Sequence, residues 1–166
     1  SLTGEQMYYQ YRAEDDDGCD EAERDAHPQA GAQRYPVAVW YGNRQAARTL
    51  PALVSTPSMD SWLFILVFDY GERSSVLSEA PVWQTPGSGE WLCRQDCFSG
   101  YEFGFNLRTR RLCRQVLMFH YLDVLTGSSG ANDAPALISR LLLDYRENPS
   151  LSLLENVHQV AYESDG

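Results

Sequence analysis

The sequence predicts a mainly β fold: an antiparallel sheet of successive hairpins with few or no long helices. Three observations carry that expectation. Apolar residues alternate with a period of two in several segments. Clusters of Gly, Asn, Pro and Ser separate those segments. No stretch joins an N-cap to an amphipathic pattern long enough for a substantial helix. Strands linked by turns rather than helices pair antiparallel, so about six to eight strands are expected. The 166 residues read as one β-rich segment, 1–166, and 43% hydrophobic residues against 22% charged ones exclude a disordered chain.

Met7 to Ala13 opens the series, with Met7, Tyr9, Tyr11 and Ala13 on one face. Asp20 to Ala32 has room for a helical turn. Arg34 to Tyr41 places Tyr35, Val37, Val39 and Tyr41 on one face, with Pro36 early in the strand or at an edge and Gly42-Asn43 as the turn. Trp62 to Phe68 is a near-continuous aromatic and branched run, read as a strand covered on both faces, and Asp69-Tyr70-Gly71-Glu72 closes it. Pro81 to Gly89 and Thr126 to Gly130 read as surface loops. Phe103, Phe105, Leu107 and Thr109 alternate with Gly104, Asn106, Arg108 and Arg110. Leu112 to Tyr121 continues in extended style, with Arg110-Arg111 as a bulge or bend. Leu137 to Tyr145 and Val157 to Tyr162 make two further strands joined through Asn148-Pro149-Ser150, with a helical turn expected over Leu151 to Asn156. Trp40-Tyr41-Gly42-Asn43, Asp69-Tyr70-Gly71-Glu72 and Asp144-Tyr145-Arg146-Glu147 echo one another as Tyr near a strand end, which Tyr suits in any sheet.

Net charge is −10, with 13 arginines and no lysine. Eight acids and one arginine between Glu14 and Asp25 account for −7 of it, a segment that reads as a solvated loop. A nucleic-acid binder needs a concentrated positive field and is excluded. The longest apolar run, Trp62 to Phe68, is too short to cross a bilayer, so no membrane contact is expected of this segment. No basic leader precedes an apolar stretch, so no signal peptide is expected, and Ser1-Leu2 in place of a Met start suggests a piece of a longer protein.

Candidate chemistry is sparse. Cys93, Cys97, Cys113 and His120 have the ligand types of a zinc site but not the tight knuckle spacing, and buried or incidental thiols are the simpler reading. As a nucleophile pair, Cys113 and His120 would lie roughly 23 Å apart along a strand at about 3.3 Å per residue. Four cysteines are too few and too irregular for a disulfide scaffold, which points to free thiols folded in a reducing cytoplasm. Asp15-Asp16-Asp17-Gly18-Cys19-Asp20 resembles a calcium loop without its terminal bidentate Glu. Glu21-Ala22-Glu23 has the Glu-x-Glu spacing of ADP-ribosyltransferases without their Ser-Thr-Ser strand, a chance match. Arg108, Arg110, Arg111 and Arg114 form a cluster suited to pairing with carboxylates of neighbouring strands or of the acidic segment. Tyr8, Tyr9, Tyr11, Tyr35, Trp40, Trp62 and Phe64 suit a core better than a sugar-binding platform. The expectation is no catalytic residue, no cofactor and no metal. The alternatives are a metal-binding or enzymatic domain using Cys93, Cys97, Cys113 and His120, or a carbohydrate-binding β module.

Two long segments resemble a known family. Trp62-Leu63-Phe64-Ile65-Leu66-Val67-Phe68-Asp69-Tyr70-Gly71-Glu72, and the run from Phe105 through Arg108-Thr109-Arg110-Arg111-Leu112-Cys113-Arg114 to His120, are similar to the B component of bacterial insecticidal toxin complexes (the TcdB/TcaC type, SpvB-like). Tyr11-Arg12-Ala13-Glu14-Asp15, Tyr41-Gly42-Asn43, Arg94-Gln95-Asp96 and Ala161-Tyr162-Glu163 follow in the same order. Cys97 stands where that pattern has Pro, and Tyr121 where it often has a second His. The resemblance implies a non-enzymatic structural segment, the region after the β-propeller, in the wall of a β shell. In that family the shell is completed by the Rhs-repeat C component, encloses its toxic cargo, and docks through the propeller on the A pore component. It implies a secreted virulence protein, extracellular after folding in the bacterial cytoplasm. Cut from such a wall, Met7 to Ala13 and Val157 to Tyr162 are expected to be open edges, and the fragment is expected to self-associate by edge pairing or by face packing.

Overall fold

The structure is a computed structural model in which residues 4–28, 30–46, 61–121 and 134–163 are described. Eight strands occur among these residues: β1 (Met7–Ala13), β2 (Arg34–Asn43), β3 (Trp62–Asp69), β4 (Phe98–Gly100), β5 (Leu107–Thr109), β6 (Gln115–His120), β7 (Ala136–Arg146) and β8 (Leu153–Ala161). Six form one sheet in the order β1-β2-β3-β6-β7-β8, every neighbour antiparallel, and β4 and β5 pair separately as a short ribbon. The expected fold class and the expected edge strands are both observed, since β1 and β8 flank the sheet. The one α-helix among the described residues, α1 (Glu21–Ala26), starts where the Asp20 side chain accepts from the Glu23 N–H, and a 3-10 turn follows at Ala30–Ala32.

Residues directly opposite in an antiparallel pair share a face. Ala38 faces Val67, Ile65 faces Phe119, Val67 faces Leu117 and Leu117 faces Arg140. That face is sealed: Ala38, Trp40, Ile65, Val67, Leu117 and Phe119 are all fully buried. Its cover is the long connection between β3 and β4. Trp83 meets Trp40 and Phe119 edge-on at 6.5 and 5.0 Å, and Trp91 joins Tyr35, Val37 and Tyr70 in a second core cluster. The expectation of a plain surface loop over Pro81 to Gly89 is therefore corrected, because among the described residues this connection is the layer that packs on the sheet's sealed apolar face.

The opposite face, through Tyr41, Phe64, Leu66, Met118 and His120, is only half-buried. Trp62 to Phe68 is thus sealed on one side rather than two. The single-face reading of β2 also fails, for a local reason. Gln10 pairs with Ala38 but Tyr11 with Pro36, which leaves Val37 as an extra residue. The bulge lets Tyr35 and Val37 before it, and Ala38 and Trp40 after it, all point into the core.

Other expectations shift at element ends. Gly42-Asn43 belongs to β2 rather than to a turn. Gly42 adopts φ +67°, and a Cβ there would lie 2.6 Å from the Phe64 ring, so the residue is Gly because both backbone and neighbour require it. Leu151 to Asn156 is not helical, for β8 begins at Leu153. Of the three Tyr-bearing echoes, Asp69 to Glu72 carries its Tyr into the turn after β3, Trp40 to Asn43 are the last four residues of β2, and Asp144 to Glu147 spans the end of β7 at Arg146, so each has its Tyr near a strand end. Thr126 to Gly130 lies outside the described residues.

Two arginines anchor the covering connection. Arg140, on the sealed face of β7, is fully buried and satisfied by neutral acceptors: Gln115 Oε1 at 2.7 Å and the carbonyls of Ser74, Val76 and Glu79 at 3.0–3.1 Å. Arg73 binds Asp69 at 2.8 Å, Glu72 at 2.9 Å and the Gln84 carbonyl at 2.8 Å. An irregular layer cannot satisfy its own carbonyls by a ladder, and these guanidiniums do so instead.

Candidate functional site: an arginine–carboxylate clasp

The residues that concentrate charge meet on one side of Trp91. Arg108 lies on β5, and Arg110 and Arg111 occupy the break between β5 and β6, which is where a bend was expected. All three reach the acidic segment that follows β1. Arg108 makes a two-pronged pair with Glu23, Nε to Oε1 at 2.8 Å and Nη2 to Oε2 at 2.6 Å. Arg110 donates to Glu23 Oε1 at 2.8 Å, pairs with Asp16, and caps the end of α1 through the carbonyls of Glu23 and His27 at 3.2 and 3.0 Å. Arg111 donates to Glu14 Oε2 at 3.0 Å, closes a second bond to Glu14 Oε1, and reaches the carbonyls of Asp17 at 2.6 Å and Trp91 at 3.3 Å.

Trp91 is the floor of this arrangement. It has no exposed surface, and the Arg12 guanidinium lies 4.2 Å from its ring centroid, with that of Arg111 at 5.5 Å. Its indole N–H donates to Glu72 at 2.8 Å, and Tyr35 and Tyr70 pack on it at 5.7 and 4.9 Å. Burial pushes the Tyr35 phenol up to about 12, and its oxygen accepts from the Arg110 N–H at 3.0 Å. Gly18, at φ +62°, brings the acidic segment so close that a Cβ would fall 2.3 Å from the Trp91 carbonyl oxygen.

Several expectations are corrected here. Glu14 to Asp25 is not a solvated loop: Glu14 and Cys19 are buried, and the carboxylates of Glu14, Asp16 and Glu23 are held by guanidiniums. A calcium loop needs its oxygens convergent and free, and these are turned onto arginines. Glu23 of the Glu-x-Glu pair is likewise engaged by Arg108 and Arg110. The cysteine–histidine set does not assemble. Cys93 and Cys97 lie 3.6 Å apart, whereas Cys113 donates to the Gln115 carbonyl beside the second core cluster and His120 sits edge-on to Phe64 at 4.7 Å. The register explains the split, because Cys113 precedes β6 and His120 ends it. Among the described residues no three His, Cys, Asp or Glu side chains converge as metal ligands. Of the aromatic platform, Tyr35, Trp40 and Trp62 are core and only Tyr9 and Tyr11 are well exposed. Arg114 pairs with Glu147.

A second anchor was not anticipated. The Asp96 carboxylate, in the turn before β4, accepts from Arg94 Nε and Nη2, both at 2.8 Å, and from the Ser152 N–H and hydroxyl at 2.7 and 2.5 Å. It ties that turn to the connection between β7 and β8. Arg94 first, then Ser152, hold the carboxyl well below the usual aspartate range.

Replacing Arg111 in R111L strands the buried Glu14 carboxylate and is expected to cost about 3–5 kcal/mol. The double variant Glu14→Leu with Arg111→Leu should lose less than the two single losses added, as urea unfolding of the four chains will measure. For Asp96, the folded carboxyl binds its proton more weakly than the unfolded one, so its stabilisation is present above the ordinary pKa of about 3.9 and fades as pH falls through the folded value. D96N should therefore be less stable than the parent by about 1–3 kcal/mol at neutral pH, with the gap closing below about pH 4. A gap that does not change with pH would contradict the assignment.

Comparison with known proteins agrees with the geometry. The family model described as Salmonella virulence plasmid 65kDa B protein, SpvB, matches residues 1–122. Mono(ADP-ribosyl)transferase SpvB of Salmonella typhimurium (strain 14028s / SGSC 2262) is 45% identical over 98% of this chain, and so is that of Salmonella choleraesuis (strain SC-B67). The chain spans only 26% of those relatives. The Photorhabdus luminescens Tc holotoxin pore contains a region that superposes on 100% of the chain at 56% identity with a TM-score of 0.91, which is 8% of that protein. The TcdB2-TccC3 crystal structure gives 56% identity over 100% of the chain and 8% of its own, at a TM-score of 0.90. The N-terminal domain of the effector SpvB from Salmonella typhimurium strain LT2 matches 97% of the chain at 43% identity and a TM-score of 0.83, over 48% of that chain. A sheet held by an arginine–carboxylate clasp, with relatives matching along its whole length, belongs to the SpvB family, in the form shared with Tc toxin complexes.

Proposed function

We propose that the chain is a non-enzymatic structural segment of a secreted insecticidal toxin complex, one strip of the wall of a β shell that encloses the toxic cargo of the C component. The observation that carries this reading is the superposition of the entire chain on the TcdB2-TccC3 structure at 56% identity. Two features support it. The charged cluster is consumed by ion pairs rather than presented to a substrate. The sheet is sealed on one side and half-open on the other, as suits a wall with two different faces. In this reading 1–166 forms a single wall segment following the propeller. Its partner is the Rhs-repeat C component, and contact with the A pore component runs through flanking regions. The complex acts outside the bacterium.

The test is a replacement. The corresponding region of a TcdB2-type B component is exchanged for this chain, and the chimera is co-expressed with a C component. Co-elution of the two, with the cargo protected from added protease, is the expected result. A chimera that folds but leaves the cargo digestible would overturn the proposal. The same reading makes β1 and β8 interrupted edges, with Met7 63% exposed on one and Val157 52% on the other. The isolated chain should then self-associate with rising concentration in light scattering, and lysine substitutions at Tyr9 and Val157 should suppress it. A strict monomer at millimolar concentration would refute that expectation.

A further inference from the structure

The thiols form a grouping that no spacing rule anticipates. Cys93 and Cys97 bracket the turn carrying Asp96, with their sulfurs 3.6 Å apart. The buried thiol of Cys19, from the acidic segment, is a neighbour of Cys93. The turn is held rigidly: the Arg94 N–H donates to the Arg110 carbonyl at 2.8 Å, and Asp96 is fastened to Arg94 and Ser152. Both Cys93 and Cys97 line an open pocket of about 460 Å³, together with Arg94 and Arg108, so small molecules can reach them.

We propose that Cys93 and Cys97 are a redox-active dithiol that closes to an intramolecular disulfide on reaction with a small-molecule disulfide such as oxidised glutathione. Cys97 is the attacking group. Contact with Cys93 favours its thiolate, as do the guanidiniums of Arg108 and Arg94, against burial and the nearby Glu23 charge, and its thiol donates to the Arg94 carbonyl at 3.2 Å. Cys93, paired with it in a desolvated site, holds its proton more tightly. The Cys97 thiolate forms a bond to one glutathione sulfur and breaks the S–S bond, releasing a glutathione thiolate that is protonated by solvent. Cys93 then gives up its proton, bonds to Cys97 Sγ and expels the second glutathione. Two protein thiols are oxidised by two electrons, and one disulfide is reduced to two thiols. The product is a ring across the turn that presents Asp96 to Ser152, so oxidation locks the contact between the β4 approach and the β7–β8 connection. Cys113 is the internal control. It lies apart, bonded to the Gln115 carbonyl, and burial pushes its thiol up to about 11.

The folded chain is incubated with excess oxidised glutathione at mildly alkaline pH, its remaining thiols are alkylated, and intact mass and peptide mapping are recorded. The expected product has lost two hydrogens, with the bond joining Cys93 to Cys97 and alkylation at Cys19 and Cys113. The two-hydrogen loss should survive in C19S and vanish in C97S. Full alkylation of Cys93 and Cys97, glutathione adducts that never close, or a bond joining Cys19 to Cys93 would each overturn the proposal. These outcomes read thiol chemistry only, so they stand apart from the fate of the shell-wall reading.

Discussion

The buried pair between Arg111 and Glu14 is the contact on which the rest of this molecule hangs. Both side chains have no exposed surface, and two charges withdrawn from water are tolerated only when each is fully satisfied. Glu14 meets that condition with the Arg111 fork and the N–H groups of Asp15 and Asp16, and Arg111 with two further carbonyls. The pair fixes where the segment after β1 must run. That path seats Gly18 on the Trp91 backbone, delivers Glu23 to Arg108 and Arg110, and brings Cys19 to Cys93. A chain with net charge −10 thereby folds with Glu14, Asp15, Asp16, Asp17 and Glu23 of its most acidic stretch paired to arginines.

Trp91 translates this local clasp into the architecture of the sheet. The six-stranded meander has one sealed apolar face and, among the described residues, no helix that covers it. The connection from β3 to β4 performs that task with Trp83 over one half of the face and Trp91 over the other, fastened through Arg73 and Arg140. Guanidinium groups suit this role because a single Arg offers five donors in a plane, enough to satisfy several carbonyls of an irregular segment at once. The abundance of arginine and absence of lysine are explained by this use. Arg73, Arg110, Arg111 and Arg140 are structural cross-braces rather than a solvated surface.

An architecture of this kind suits a wall. Its edges, β1 and β8, continue the hydrogen-bonding direction of the sheet, and its half-buried face carries Tyr41, Phe64, Leu66 and Met118 in register across three strands. Its strongest polar groups are spent on one another, Arg111 on Glu14 and Arg108 and Arg110 on Glu23.

Elements whose information is local are legible along the chain. Alternation located β1 and β2, a near-continuous apolar run located β3, and the extended segments Leu137 to Tyr145 and Val157 to Tyr162 fall on β7 and the second half of β8. Turn chemistry located Asp69 to Glu72 and Asn148 to Ser150, and the runs Trp62 to Glu72 and Phe105 to His120 identified the family. These features depend on side-chain period and backbone preference, which neighbouring residues carry. Only the tertiary structure decided the rest. The Val37 bulge is set by the register of β1 on β2, not by any residue at 37. The pairing of Glu14, Asp16 and Glu23 is not legible in the acidic segment itself, because the arginines that hold these carboxylates lie more than eighty residues away along the chain. The thiols grouped as Cys19 with Cys93 and Cys97, and not with Cys113 and His120, because the clasp carries Cys19 across while β6 carries His120 away. Charge and thiol chemistry act through space, and where two distant segments meet is settled by packing around Trp91, which one-dimensional spacing does not encode.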